Sequence, residues 1–160
     1  SNTSGAVTIS DIEFYNGITE VTSGKKHLMV NYKIIPSGTL DNIAVQFNSD
    51  TGPNYAYSVS VDGAADGTST SGSKIRFRSG GAVSNDFFGT LNIINNSSTE
   101  KLLTSEQIRN NTDGSGNVPS RAEHVGKWAN TSNQITRVDL SQDGSGSFAE
   151  GSEVTVYGTD

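Results

Sequence analysis

Between His27 and Ile35 the chain alternates without interruption. Leu28, Val30, Tyr32 and Ile34 take every second place, and His27, Met29, Asn31 and Lys33 take the places between them. Successive side chains of an extended chain point to opposite faces, so a period of two predicts a strand with one face buried. Pro36, Ser37 and Gly38 end the run.

The pattern recurs along the chain. Val7 to Tyr15 reads as a first strand with Ile12 and Phe14 inward, closed by the Asn16-Gly17 turn signal. Ile43, Val45 and Phe47 share a face, and Asp50 to Pro53 is a turn. Tyr55, Tyr57, Val59 and Val61 share the next face. Ile75 and Phe77 lie opposite Lys74, Arg76 and Arg78, and residues 87–94 are apolar on both faces in places. Residues 62–73 and 110–120, rich in Gly, Ser, Thr, Asn and Asp, read as surface loops. Residues 99–109 read either as a short helix or as a strand plus a turn. The stretch from Gly126 to Gly158 carries the only Trp, then Ile135, Val138 and Leu140, then Phe148, Val154, Val156 and Tyr157, and reads as a β-meander.

Nine or ten short strands separated by turn signals predict an all-β fold, an antiparallel β-sandwich of jelly-roll-like type with about eight to ten strands. Residues 1–6 are expected to form a flexible arm and residues 7–160 a single domain. A chain of 160 residues is long enough to bury a substantial core.

Composition narrows the function classes. Hydrophobic residues make up 32% and charged residues only 18%, whereas disordered chains of low hydrophobicity carry high charge. A net charge of −6 argues against a nucleic-acid binder, which needs a basic face. Cys is absent, so neither a disulfide framework nor thiolate chemistry is available. No apolar run is long enough to span a bilayer, and no basic-then-apolar leader opens the chain, so no membrane insertion is expected.

Candidate sites each carry two readings. Lys74, Arg76 and Arg78 form a basic stripe that would suit an acidic polysaccharide or an acidic neighbouring subunit; a solvated face or a charge-protected edge strand gives the same stripe. Tyr55, Tyr57 and Trp128 could stack on sugar rings or pack in the core, where aromatics bring the most buried area. Asp113 to Asn117 and Asp143 to Ser147 begin like calcium loops. Counting from Asp113, however, the sixth and twelfth places hold Val118 and His124, where an EF-hand needs Gly and Glu. They read as flexible turns, and no metal or cofactor is expected. His27 and His124 have no local partner motif, the carboxylates form no recognisable pair, and no catalytic residue is assigned. Asn-x-Ser/Thr triplets at Asn2, Asn95, Asn96, Asn110 and Asn130 follow from a composition rich in those residues.

Three segments carry a resemblance. They run from His27 through Phe47, Asn48, Asp50, Gly52, Asn54 and Tyr55; from Phe87 to Leu103; and from Gly126 through Trp128, Asn130, Thr131, Ile135, Thr136, Val138, Leu140, Gly146, Phe148, Ala149, Gly151, Ser152, Tyr157 and Gly158. Their order and spacing resemble a broad group of bacteriophage virion proteins, found as tail-fibre, tail or accessory capsid modules. The chain departs from that pattern by carrying Thr159 and Asp160 after the final Gly. The resemblance implies a location in the virion, other virion proteins as partners, and a homo-oligomer, with a trimer common among tail-fibre-like assemblies. It supplies no catalytic residues. The expected function is therefore a surface-displayed structural module in symmetric copies, with a host-surface carbohydrate-binding domain as the alternative.

Overall fold

The alternating run is strand β3 (His27–Ile34), and its burial alternates residue by residue. Leu28, Val30, Tyr32 and Ile34 are 0–3% exposed, and the four residues between them are open to solvent. In the computed structural model, residues 7–8, 17–21, 25–38, 40–83, 85–110, 112–143 and 146–160 are described. The expected arm at residues 1–6 and most of the expected first strand lie outside them.

β3 belongs to a large antiparallel sheet. Its order is β1 (Val7–Thr8), β14 (Glu153–Thr159), β3, β9 (Phe87–Ile94), β10 (Lys101–Arg109), β11 (Ser120–Trp128), β6 (Tyr55–Val61) and β7 (Gly67–Gly72). Facing it is a smaller sheet in the order β2 (Gly17–Val21), β12 (Arg137–Asp143), β5 (Leu40–Phe47) and β8 (Ile75–Val83). A two-residue bridge joins β4 (Pro36–Ser37) to β13 (Ser147–Phe148).

The sheets pack face to face through one apolar cluster. Phe77 of β8 lies 6.4 Å from the Tyr32 ring of β3, and Phe47 of β5 lies 5.9 Å from the Trp128 ring of β11. Burying each such side chain contributes roughly 2–3 kcal/mol. The molecule is thus an all-β sandwich. The fourteen strands among the described residues exceed the eight to ten expected, because three of them are two-residue bridges and because edges lacking apolar residues also pair.

Two local readings are corrected, one left open is settled, and one strand lies where none was expected. The stretch from Gly126 to Gly158 is not a meander. β11 ends in the large sheet, β12 inserts between β2 and β5 in the small one, and β14 returns to the large one beside β3. A period of two fixes which face is buried but not which sheet the strand joins. Residues 67–72, expected as loop, form β7, an edge strand of Gly, Ser and Thr that pairs with β6. Residues 101–109 are a strand throughout, with no helix. Residues 120–128 form β11, which pairs with both β10 and β6.

Candidate functional site

At one end of the sandwich the two main motif segments meet. Phe47, Asn48, Ser49 and Asp50 form a tight turn in which the Asp50 N–H donates to the Phe47 carbonyl at 2.9 Å. Asn48 and Ser49 both hold positive φ, 53° and 57°, so the chain reverses tightly as it leaves β5 for β6 in the other sheet. The turn aims the Asp50 carboxylate inward. It accepts from the Gly52 N–H at 2.8 Å, the Asn54 amide at 2.9 Å and the Trp128 indole N–H at 2.7 Å. Partial burial pushes this carboxyl up, but the hydrogen bonds from Trp128, Asn54 and Gly52 together outweigh it and hold Asp50 below the usual carboxylate range.

Above this carboxylate, Trp128 stacks on Tyr55 with ring centroids 6.4 Å apart and 17° between planes. The Tyr55 hydroxyl accepts from the Phe47 N–H at 2.9 Å and lies 3.2 Å from the Asp50 carbonyl. Asn48 reaches the other segment: its side-chain oxygen accepts the Thr136 and Arg137 N–H groups at 2.9 and 3.0 Å. A second clamp lies near Ile35. The Ser152 hydroxyl accepts the Ile35 N–H at 3.0 Å, and the Ala149 N–H donates to the Ile35 carbonyl at 2.7 Å. Gly151, at φ +84°, turns the chain between Ala149 and Ser152. The motif residues therefore tie loops to strands and one sheet to the other.

This geometry corrects part of the binding expectation. Tyr55 and Trp128 are each 1% exposed, so neither ring presents a face to a sugar. The flat rings fill the core, as the alternative reading of each allowed. Tyr57 is half-buried and borders a small cleft of about 220 Å³ shared with Asn42, Thr68 and the exposed Arg76. Of the candidate residues whose side chains are described, Tyr57 and Arg76 share an opening. Lys74 is half-buried at the entrance to β8, an edge of the small sheet, and the side chain of Arg78 lies outside the described residues.

Two residues that shape this end carried no sequence signal for the role they play. Lys101 is fully buried, and its ammonium donates to the carbonyls of Thr99 at 2.8 Å and Asn130 at 2.6 Å, 5.7 Å from the Trp128 ring centre. Burial lowers its pKa. Asn95, also fully buried, mimics a strand: its oxygen accepts the Ile135 N–H at 2.6 Å and its amide donates to the Ile135 carbonyl at 3.0 Å. That placement removes Asn95 as a glycan acceptor.

The two histidines lie on opposite faces of the large sheet. His27 is on the outer face, and His124 is buried edge-on to Phe77 at 5.0 Å. Burial pushes the His124 imidazole down to about 4. The Asp113 carboxylate accepts from the Asn110 amide at 2.6 Å, and the Asn117 amide donates to the Asp113 carbonyl at 2.9 Å, which closes a self-contained turn. Among the described residues, no group of three or more His, Cys, Asp or Glu side chains could hold a metal ion.

The outer face of the large sheet is unusually apolar. Met29, Phe88, Ile94, Leu102, Ile108, Val125 and Tyr157 are 38–57% exposed there. A depression of about 680 Å³ runs between Met29, Ile94, Leu102 and Tyr157. In β10 the apolar residues Leu102 and Ile108 look outward, while Lys101, Ser105 and Gln107 look inward.

No family model matches the chain, and no curated protein matches it. Among solved structures it is similar to a botulinum neurotoxin type G receptor-binding domain, at 11% identity, with a TM-score of 0.23. That match covers 98% of this chain and 43% of the other, so the chain spans less than half of that protein's length. A likeness of this depth carries no argument.

Proposed function

We propose that the protein is a structural module of a bacteriophage virion, an accessory capsid, tail or tail-fibre component displayed in symmetric copies. The observation that carries this reading is the use to which the resembling segments are put. Asp50, Asn48, Tyr55, Trp128 and Ser152 are spent on holding the sandwich together, and what the fold leaves outside is a broad apolar sheet face. Scaffold residues of this kind specify a shape, and a shape with an apolar face is suited to contact between subunits. The reading assigns no catalysis to the chain and takes other virion proteins as its partners.

Immunogold electron microscopy tests it, using antibody against this chain on particles of the virus whose genome encodes it. Gold at regular positions on heads or tails is the expected result. Particles that lack the chain altogether would refute the reading.

The cleft at Tyr57 and Arg76 favours a second reading, recognition of a host-surface glycan. A half-buried ring beside a guanidinium, an amide and a hydroxyl offers one stacking face and several hydrogen-bond groups. Glycan-array binding lost in Tyr57→Ala and Arg76→Ala, with the fold intact, would support it. An array with no signal for the intact protein would remove it.

A further inference from the structure

The outer face of the large sheet carries a pattern that matches itself. β9 and β10 lie at its middle, with β3 beyond β9 and β11 beyond β10. Across the central boundary Ile94 pairs with Leu102, and Phe88 pairs with Ile108. One strand further out, Met29 stands in the same row as Val125, joined through Asn92 and Thr104. Each of these apolar residues on one side of the boundary has an apolar counterpart equally far on the other side. Between them runs a polar row of Asn31, Thr90, Glu106 and Glu123, and the outer ends of the apolar rows carry Lys33 and Arg121, and His27 and Lys127, which fall at the rim of the face.

We infer that this face binds a second copy of the same chain, about a two-fold axis that runs along the strands between β9 and β10. The inference rests on the symmetric assembly proposed above and names its surface. An axis lying in the interface exchanges β9 with the partner's β10 and β3 with the partner's β11. Ile94 then meets the partner's Leu102, Phe88 the partner's Ile108, and Met29 the partner's Val125. Glu123 then faces the partner's Asn31 amide, Glu106 faces the partner's Thr90, whose hydroxyl donates to Asn31, and Lys33 lies by the partner's Arg121 at the rim.

Two further observations favour a second copy over any other occupant. Glu106 and Glu123 are direct cross-strand partners; Arg121, 3.6 Å from the Glu123 carboxylate, offsets part of their repulsion, and donors from a partner would offset more of it. The apolar side chains on this face expose on the order of 600 Å², and with their polar neighbours approach the ~800 Å² per subunit of a standard stable interface. Twisted sheets pack face to face with strand directions within about 30° and side chains interleaved at roughly 10 Å, and an axis along the strands keeps the central strands near parallel. The depression beside Met29 gives the partner's Val125 room to seat.

The absence of Cys allows a direct test with the full chain. Met29→Cys and Val125→Cys proteins are mixed and treated with a short bismaleimide, and the cross-linked species are counted by mass spectrometry. The mixed cross-link is expected to exceed either self-link by about tenfold, because that pair faces across the roughly 10 Å between packed sheets, whereas each self-pair is offset by three strand spacings, about 14 Å. In parallel, Leu102→Glu is expected to raise the dimer dissociation constant about 100-fold by burying an unpaired charge. Leu102 is 52% exposed in the single chain, so far-ultraviolet circular dichroism should hold, and the melting temperature should match the parent's at concentrations where the parent is also dissociated. Predominant self-links would overturn the axis. An oligomer that ignores Leu102→Glu would overturn the face while leaving symmetric assembly through another surface. Absence of association at every concentration would overturn this interface, and the particle labelling above judges the virion reading separately.

Discussion

Trp128 donates its indole N–H to the Asp50 carboxylate at 2.7 Å, across 78 residues of chain. The bond joins the last residue of β11 to the turn that follows β5, and so ties the large sheet to the small one. The carboxylate also organises its own loop through Gly52 and Asn54, so one side chain sets a turn and fixes it to the core.

Coupling between these two residues should be measurable. Trp128→Phe keeps an aromatic ring and removes the donor, and Asp50→Ala removes the acceptor. Each is expected to cost about 2 kcal/mol in urea unfolding, with a coupling energy of about 1–2 kcal/mol in the double-mutant cycle, because the bond has a charged acceptor. Additive losses would mean that the bond contributes nothing.

Lys101 should prove structural. Lys101→Met preserves the buried stem but leaves the Thr99 and Asn130 carbonyls without their donor. A loss of about 2 kcal/mol is expected, read from the urea midpoint at unchanged slope. A neutral or stabilising effect would show that those carbonyls find other donors.

Gly89 is the cross-strand partner of Tyr32, whose ring lies over it and reaches toward Gln107. A Cβ at this position would overlap the Tyr32 ring and come within 2.6 Å of the Glu106 carbonyl oxygen. Gly89→Ala should therefore destabilise by about 2 kcal/mol through overpacking, although Ala is ordinarily tolerated in strands. Thermal unfolding checks this, and a melting temperature equal to that of the parent would contradict it.

Acid should weaken the fold in two stages. His124 titrates near 6.5 when unfolded and at about 4 in the core, because burial disfavours its charged form. As pH falls from 6.5 to 4 the unfolded chain takes up the proton first, so stability drops across that window by up to about 3 kcal/mol. Asp50 acts lower. Its carboxyl is held below 3.8, so its contribution is complete above that value and is lost as pH falls through the folded pKa. Unfolding free energy measured against pH should show the first slope in the parent and lose it in His124→Gln. A slope of equal size in both proteins would assign it to other groups.

Much of the sandwich is legible in the sequence wherever one face is apolar. β3 and β5 show their buried sets directly, and the Asp50 turn is marked by its residues. The remainder follows from where the fold departs from that rule. β7 has no apolar side chain to bury, so it carries no period. β10 and β11 turn Lys101, Ser105, Gln107, Ser120 and His124 inward and Leu102, Ile108 and Val125 outward, so their pattern runs against the expected face. Of the candidate binding residues, Tyr55 and Trp128 went to the core because strand alternation aims them there. No local signal distinguishes a ring over the core from a ring over a ligand.

The outward apolar residues of β10 and β11 make sense if that face is covered in the working assembly. Sedimentation equilibrium of the intact protein tests this most directly. At micromolar concentration the predicted mass is at least two chains of 16.8 kDa, falling to one chain in Leu102→Glu. A single-chain mass for the parent at the highest concentration reached would contradict it.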